Sequence, residues 1–177
     1  MKKGLDAFLS SAAIKEHKEY LERQRLKASI WNKSGYKTDE SPMDGTKYKR
    51  MNFSEREELS RLLHDIKMHE VYFESFRQSY MPCPPICRFF GSENNFAYEL
   101  SRFALGLRSG FACVILDRYG RISICDDRRL PSGTEVRLAL DVCEHAYFRD
   151  YGFKKDKYVR AAIAHLDLSR LATEREG

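Results

Sequence analysis

Apolar residues recur along this chain with two different periods, and the change from one to the other divides it. From Ala12 to about Ile30 the less polar positions Ile14, His17, Leu21, Gln24 and Ala28, followed by Trp31, return at steps of three and four, which is one face of a helix. A lead-in over Leu5–Ser11 precedes it, with Ser10 or Ser11 as N-cap. A second helical face runs through Leu59, Leu62, Leu63, Ile66, His69, Phe73 and Phe76, behind the capping-box pattern Ser54-x-x-Glu57. His17 and His69 therefore both lie on helix sides that turn toward the rest of the protein. Residues 32–52 between them are polar, with turn signals at Ser34-Gly35, Ser41-Pro42 and Asp44-Gly45, and predict a long loop.

Pro82, Pro84 and Pro85 are expected to end the second helix and to mark a domain boundary. Ser92–Leu107 reads as a third helix with Phe96, Leu100, Phe103 and Ala104 on one face. At Gly110 the period becomes two. Phe111–Leu116, a turn at Arg118-Tyr119-Gly120 and Arg121–Cys125 predict a hairpin, and Val136–Asp141 a third strand. A last helix is expected over Lys155–Leu171, with Tyr158, Ala162, Leu166 and Leu168 inward. The pattern as a whole predicts an α+β protein: a helical hairpin over residues 1–81, then an α/β domain over 82–177 with a three-stranded antiparallel sheet and flanking helices.

Composition narrows the function. With 177 residues, 42% hydrophobic, the chain can bury a real core, and its net charge of +5 favours small anions by electrostatic steering. The basic stretches Lys47-Tyr48-Lys49-Arg50 and Arg128-Arg129 are offset by nearby acids and read as solvated faces, so no nucleic-acid partner is expected. No apolar run approaches the ~18 residues that span a bilayer, and Met1-Lys2-Lys3 leads into no signal-peptide core, so the expectation is a cytoplasmic protein without membrane contact. Five cysteines, an odd number in unlike contexts, argue against a disulfide framework. Cys83-Pro-Pro-Ile-Cys87 has neither redox nor zinc-knuckle spacing.

The chemistry concentrates at Asp141-Val142-Cys143-Glu144-His145-Ala146-Tyr147-Phe148. Whether Asp141 ends a strand and His145 opens a helix, or both share one helical turn, a carboxylate and an imidazole four residues apart converge on one point. That arrangement suits a metal or a proton-transfer pair. His17 and His69 on their inward faces raise the count to three imidazoles and one carboxylate.

This stretch resembles the D-x-W-E-H-A-[YF]-[YF] segment of the iron/manganese superoxide dismutase family, with Cys143 in place of the Trp. The resemblance extends to Leu5-x-x-x-Leu9-Ser10 and Ile14-x-x-His17, similar to the family's lead-in and first-ligand helix, and to His69-Glu-Val-Tyr72-Phe73, similar to its second-ligand segment. Ser109-Gly110-Phe111-Ala112 resembles its strand entry, and Asp150-Tyr151 with Asp156-Lys-Tyr158 its final helix. The resemblance implies one iron or manganese per chain held by His17, His69, Asp141 and His145, superoxide as substrate, and a homodimer in which Glu144 bonds to His145 of the partner subunit.

Several positions depart from the family pattern. The Gln that hydrogen-bonds the metal-bound solvent is missing; its two possible places hold Asp65, one helical turn before His69, and the pair Asp126-Asp127. Arg25 replaces the gateway Tyr and Leu21 a His, and Phe148 stands where a Tyr is expected. Asp65, Arg25 and Asp126 are thus the candidate catalytic positions, and Cys113 and Cys143 replace bulky aromatics. Two activities are compatible with this: a dismutase with altered proton delivery, or a metal-binding relative acting as a sensor or interaction protein.

Overall fold

The computed structural model describes residues 4–30, 52–77 and 83–172. The loop expected over 32–52 lies, except for Asn52, outside the described residues, as do Trp31, Lys47-Tyr48-Lys49-Arg50 and Pro82. Nine regular elements are described: α1 (Ser11–Ile30), α2 (Phe53–Glu74), α3 (Pro84–Phe90), α4 (Glu93–Gly106), β1 (Phe111–Asp117), β2 (Ile122–Asp126), β3 (Thr134–Asp141), α5 (Glu144–Tyr151) and α6 (Lys155–Ile163). The α+β architecture is the one expected. Two compact units form, a larger one from Met1–His17 with Met68–Gly177 and a smaller one from Lys18–Lys67. The boundary expected at 81/82 falls among residues 78–82, outside the described ones.

In the smaller unit the α1 stripe buries Leu21, Gln24 and Ala28. Ala28 packs with Leu59 and Leu62 of α2, flanked by Leu63 and Ile66. Helix α2 begins earlier than the Ser54/Glu57 box predicts. Asn52 Oδ1 accepts from the Glu55 amide (2.9 Å) and Glu55 Oε2 accepts from the Asn52 amide (2.8 Å), the same reciprocal cap shifted by two residues. Once Asn52 satisfies those donors, Ser54 lies inside the first turn.

Two helix ends also differ from expectation, for one shared reason. Helix α2 stops at Glu74, short of the prolines, and α6 stops at Ile163, short of Leu171. Phe76 and Leu166 form an antiparallel bridge, the Arg77 amide donates to the His165 carbonyl (2.9 Å) and the Asp167 amide to the Ser75 carbonyl (2.8 Å). Each helix gives up its last turn to this pairing. Buried Ser75 completes it: its hydroxyl donates back to the Val71 carbonyl (2.7 Å) and accepts from the Ala139 amide on β3 (2.8 Å). Leu168–Leu171 continues as a 3-10 turn that buries both leucines. Pro84 and Pro85 do not only stop a helix; they occupy the first turn of α3, where a missing N–H costs nothing.

Helix α4 follows the sequence reading, with Ser92 Oγ capping the Asn95 amide (3.1 Å). The antiparallel sheet has order β2-β1-β3, and β1 is buried from Phe111 to Leu116, as a central strand covered on both faces must be. Helices α4 and α6 pack together beside it, burying Phe96, Leu100, Tyr158 and Val159. No described helix is long and apolar enough to cross a membrane.

Candidate metal centre

Four side chains of the larger unit converge on one point. His17 lies in the second turn of α1 and His69 near the end of α2; Asp141 is the last residue of β3, and His145 the second of α5. Asp141 is turned inward by its own strand-to-helix connection, since its Oδ1 accepts from the Cys143 amide (2.8 Å) in a short Asx-type turn. Its carbonyl accepts from the buried Tyr158 hydroxyl (2.8 Å), which lies 3.2 Å from that of Tyr72. Only Oδ2 is left to face the imidazoles. It stands 3.1 Å from His17 Nε2, 3.5 Å from His69 Nε2 and 2.9 Å from His145 Nε2, while the last two nitrogens are 3.2 Å apart.

These separations test whether a metal ion fits. Nitrogen and oxygen donors bind first-row divalent ions at about 2.0–2.2 Å, so donors sharing one ion at angles between square and tetrahedral lie about 2.9–3.5 Å apart. The observed distances fall in that range, and one donor atom from each of the four residues lies within 4.8 Å of all the others. Close as it is to three nitrogens, Asp141 Oδ2 is buried and accepts no aligned hydrogen bond. A buried carboxylate oxygen without an aligned donor is costly, and a cation at the convergence point removes that cost.

Electrostatics prepares the same state. Burial lowers the pKa of His17, outweighing the attraction of Asp141, so the ring stays neutral. Burial alone would raise Asp141, but the close approach of the His145 and His17 rings to its carboxylate outweighs it, and the carboxyl is held well below the usual carboxylate range. The cluster thus offers one negative oxygen from Asp141 and, at His17, a neutral imidazole. His17, His69 and Asp141 are 1%, 1% and 0% exposed, whereas His145 is 28% exposed. Tyr72 and Phe73 wall His17, with ring centroids at 4.8 and 5.0 Å, and Phe111 meets His69 edge-on at 5.0 Å.

The candidate catalytic positions make contacts of their own. In the smaller unit, Asp65 Oδ2 accepts from the Tyr20 hydroxyl (3.4 Å), and Arg25 Nη1 donates to Glu22 one turn earlier (2.7 Å). In the larger unit Asp126 is drawn outward by Arg128, whose Nε and Nη2 donate to its two oxygens at 3.0 and 2.9 Å; that bond, stronger than the opposing burial, lowers its pKa. The inward acid is its neighbour Asp127, 7% exposed, whose Oδ1 accepts from the Phe111 amide (2.8 Å). Gly110 has φ +91°, and a Cβ there would stand 2.6 Å from that oxygen, so only glycine lets Asp127 in.

Asp127 and Tyr158 are supporting residues that the sequence reading named but to which it gave no role at the cluster. A signal existed for Tyr158, as an aromatic on the inward stripe of α6. Cys143 Sγ accepts from the Gly110 amide (3.1 Å), and none of the five cysteines is in a disulfide. Glu144 is exposed and shares a surface depression of about 430 Å³ with Glu16, His145, Phe148 and Arg149. A larger cleft of about 860 Å³, lined by Phe89, Arg102, Arg118 and Tyr119 among others, shares no residue with the cluster.

Comparison with known proteins accords with this geometry. Residues 84–174, just over half of the chain, match the family described as iron/manganese superoxide dismutases, C-terminal domain. A "Superoxide dismutase [Fe]" of Cupriavidus metallidurans is 34% identical over 134 residues, covering 70% of this chain and 67% of the relative. One of Bacteroides fragilis is 31% identical over 103 residues, covering 51% of this chain and 53% of that protein. Asp141 and His145, with the strand and helix that present them, lie inside the matched segment, and on that match the chain belongs to the iron/manganese superoxide dismutase family.

Proposed function

We propose that this protein dismutates superoxide at one iron or manganese ion held by His17, His69, Asp141 and His145. The observation that carries the reading is the bare, buried Oδ2 of Asp141 facing three imidazole nitrogens at 2.9–3.5 Å. Bound there, iron or manganese supplies one-electron redox cycling, by which one superoxide is oxidised to dioxygen and the next, with two protons, is reduced to hydrogen peroxide. Asp141 keeps its negative charge because its pKa is depressed, and Tyr158 holds its carbonyl in place. His145, the half-open ligand, borders the depression through which a small anion reaches the cluster. Glu144 beside it is the contact proposed for a homodimer, bonding to His145 of the partner subunit; a monomer by light scattering would rule this out.

Proton supply differs from the family pattern, and Asp65 is proposed to serve in place of the missing Gln. A positioned proton donor is worth about 10²–10⁴-fold in rate. The parent protein is therefore expected to turn over more slowly than a fully equipped family member, and Asp65→Gln to change its rate and its metal preference. A slow or non-catalytic metal protein is the second reading, favoured by the Arg25–Glu22 ion pair at the position of the gateway Tyr. Pulse radiolysis on metal-loaded parent and Asp65→Gln protein separates the two. Activity no higher than that of free metal ion in both would reject the enzyme and leave the metal protein.

A further inference from the structure

The helices that carry His17 and His145 are tied together, near the ligands, by three successive residues at the end of α5. Arg149 pairs with Glu16, the residue just before His17. Asp150 accepts twice from Ser10, the residue that caps α1: Oδ2 from its amide (2.6 Å) and Oδ1 from its hydroxyl (2.7 Å). The Tyr151 hydroxyl donates to the Phe8 carbonyl (2.6 Å). Ser10 Oγ meanwhile accepts from the Ala13 amide (3.1 Å), so the hydroxyl that starts the helix is itself oriented by Asp150.

We infer that Asp150, with Arg149 and Tyr151 beside it, is a positioning residue of the metal centre, a clasp that fixes the His17 helix against the His145 helix. The inference rests on the proposed metal reading. Arg149 follows His145 by four residues and so shares its side of α5, and Glu16 adjoins His17 directly; each contact of the clasp therefore acts within two helical turns of a ligand. A chelate needs its donors held within about 0.5 Å, and two ligands on separate helices reach that precision only if the helices are locked to each other. Leu5 and Leu9 of the lead-in are buried in apolar packing. Packing is tolerant of small slides along a helix axis, whereas the paired oxygens of one carboxylate on one residue's N–H and O–H are not.

The test uses the full chain, made metal-free and titrated with Mn(II) against a competing chelator, with electron paramagnetic resonance of the bound ion. Asp150→Ala is expected to bind Mn(II) about tenfold more weakly, the lower end of what supporting residues of metal ligands contribute, with an altered resonance spectrum and unchanged far-ultraviolet circular dichroism. Asp150→Asn, which keeps an acceptor oxygen, should recover part of the loss. Parent-like affinity and spectrum in Asp150→Ala would overturn the clasp and leave the metal site standing. Failure of the parent itself to bind Mn(II) or Fe(II) would overturn the metal reading and the clasp with it. If Asp150→Ala does not fold, Ser10→Ala removes the hydroxyl donor alone, and a loss in the same direction supports the clasp while parent behaviour overturns it.

Discussion

The two compact units of this protein are stabilised by different kinds of contact. The larger is built around a central strand covered on both faces, with Tyr72, Tyr158 and Phe96 fully buried and hydroxyls aimed at backbone carbonyls and at each other. The smaller, over Lys18–Lys67, relies on a short apolar cluster of Ala28, Leu59 and Leu62 amid charged residues. All four metal-binding candidates fall in the larger unit. Three of the positions that depart from the family pattern, Leu21, Arg25 and Asp65, fall in the smaller one. On the proposed reading, the four residues that would hold the metal keep the family pattern, while several positions proposed for proton supply, in both units, do not.

The largest expected effect breaks the larger unit's role. His69→Ala removes one of four donors and should leave purified protein with little iron or manganese, read by elemental analysis; a full equivalent of metal would refute the assignment. Next in size, Leu59→Ala opens a cavity in the smaller unit and should cost about 2–5 kcal/mol in a denaturant titration while the metal content stays at the parent level. Loss of metal in that variant would show that the two units do not act separately.

The smallest effect concerns alkaline pH. Burial, with nearby Asp126 and Asp127, pushes the Cys125 thiol up to about 11. A thiol whose folded pKa is raised contributes stability that is intact below its unfolded value near 9 and is lost as pH rises toward 11. Below pH 9 iodoacetamide should therefore mark exposed Cys87 first and leave Cys125 untouched in a mass map. Early alkylation of Cys125 would mean that this side of the larger unit opens more readily than its packing implies.

Much of the centre was legible because periodicity and motif act together. His17 and His69 sit on apolar helical stripes, and Asp141 closes an alternating strand four residues before His145. What escaped was decided by contacts distant in sequence. Nothing near Phe76 announces that it pairs with Leu166, so the ends of α2 and α6 could not be placed from local pattern. Asn52 and Ser54 both offer a cap with an acid three residues on, and the pattern does not rank them. Asp126 was favoured over Asp127 although strand alternation ends there: the 3-10 turn over Asp127–Arg129 rotates the chain, sending Asp126 to Arg128 and Asp127 inside.

The clasp between Ser10 and Asp150 joins residues 140 positions apart, and His69 meets His145 across 76. Long sequence separations delay folding, because the ends of large loops must find each other before any contact rewards them. On a ribosome adding about 5–20 residues per second, His17 is made roughly 6–25 s before Asp141. On the proposed metal reading, all four donors are present together only once His145 has been made, so the complete site forms late in synthesis or after it.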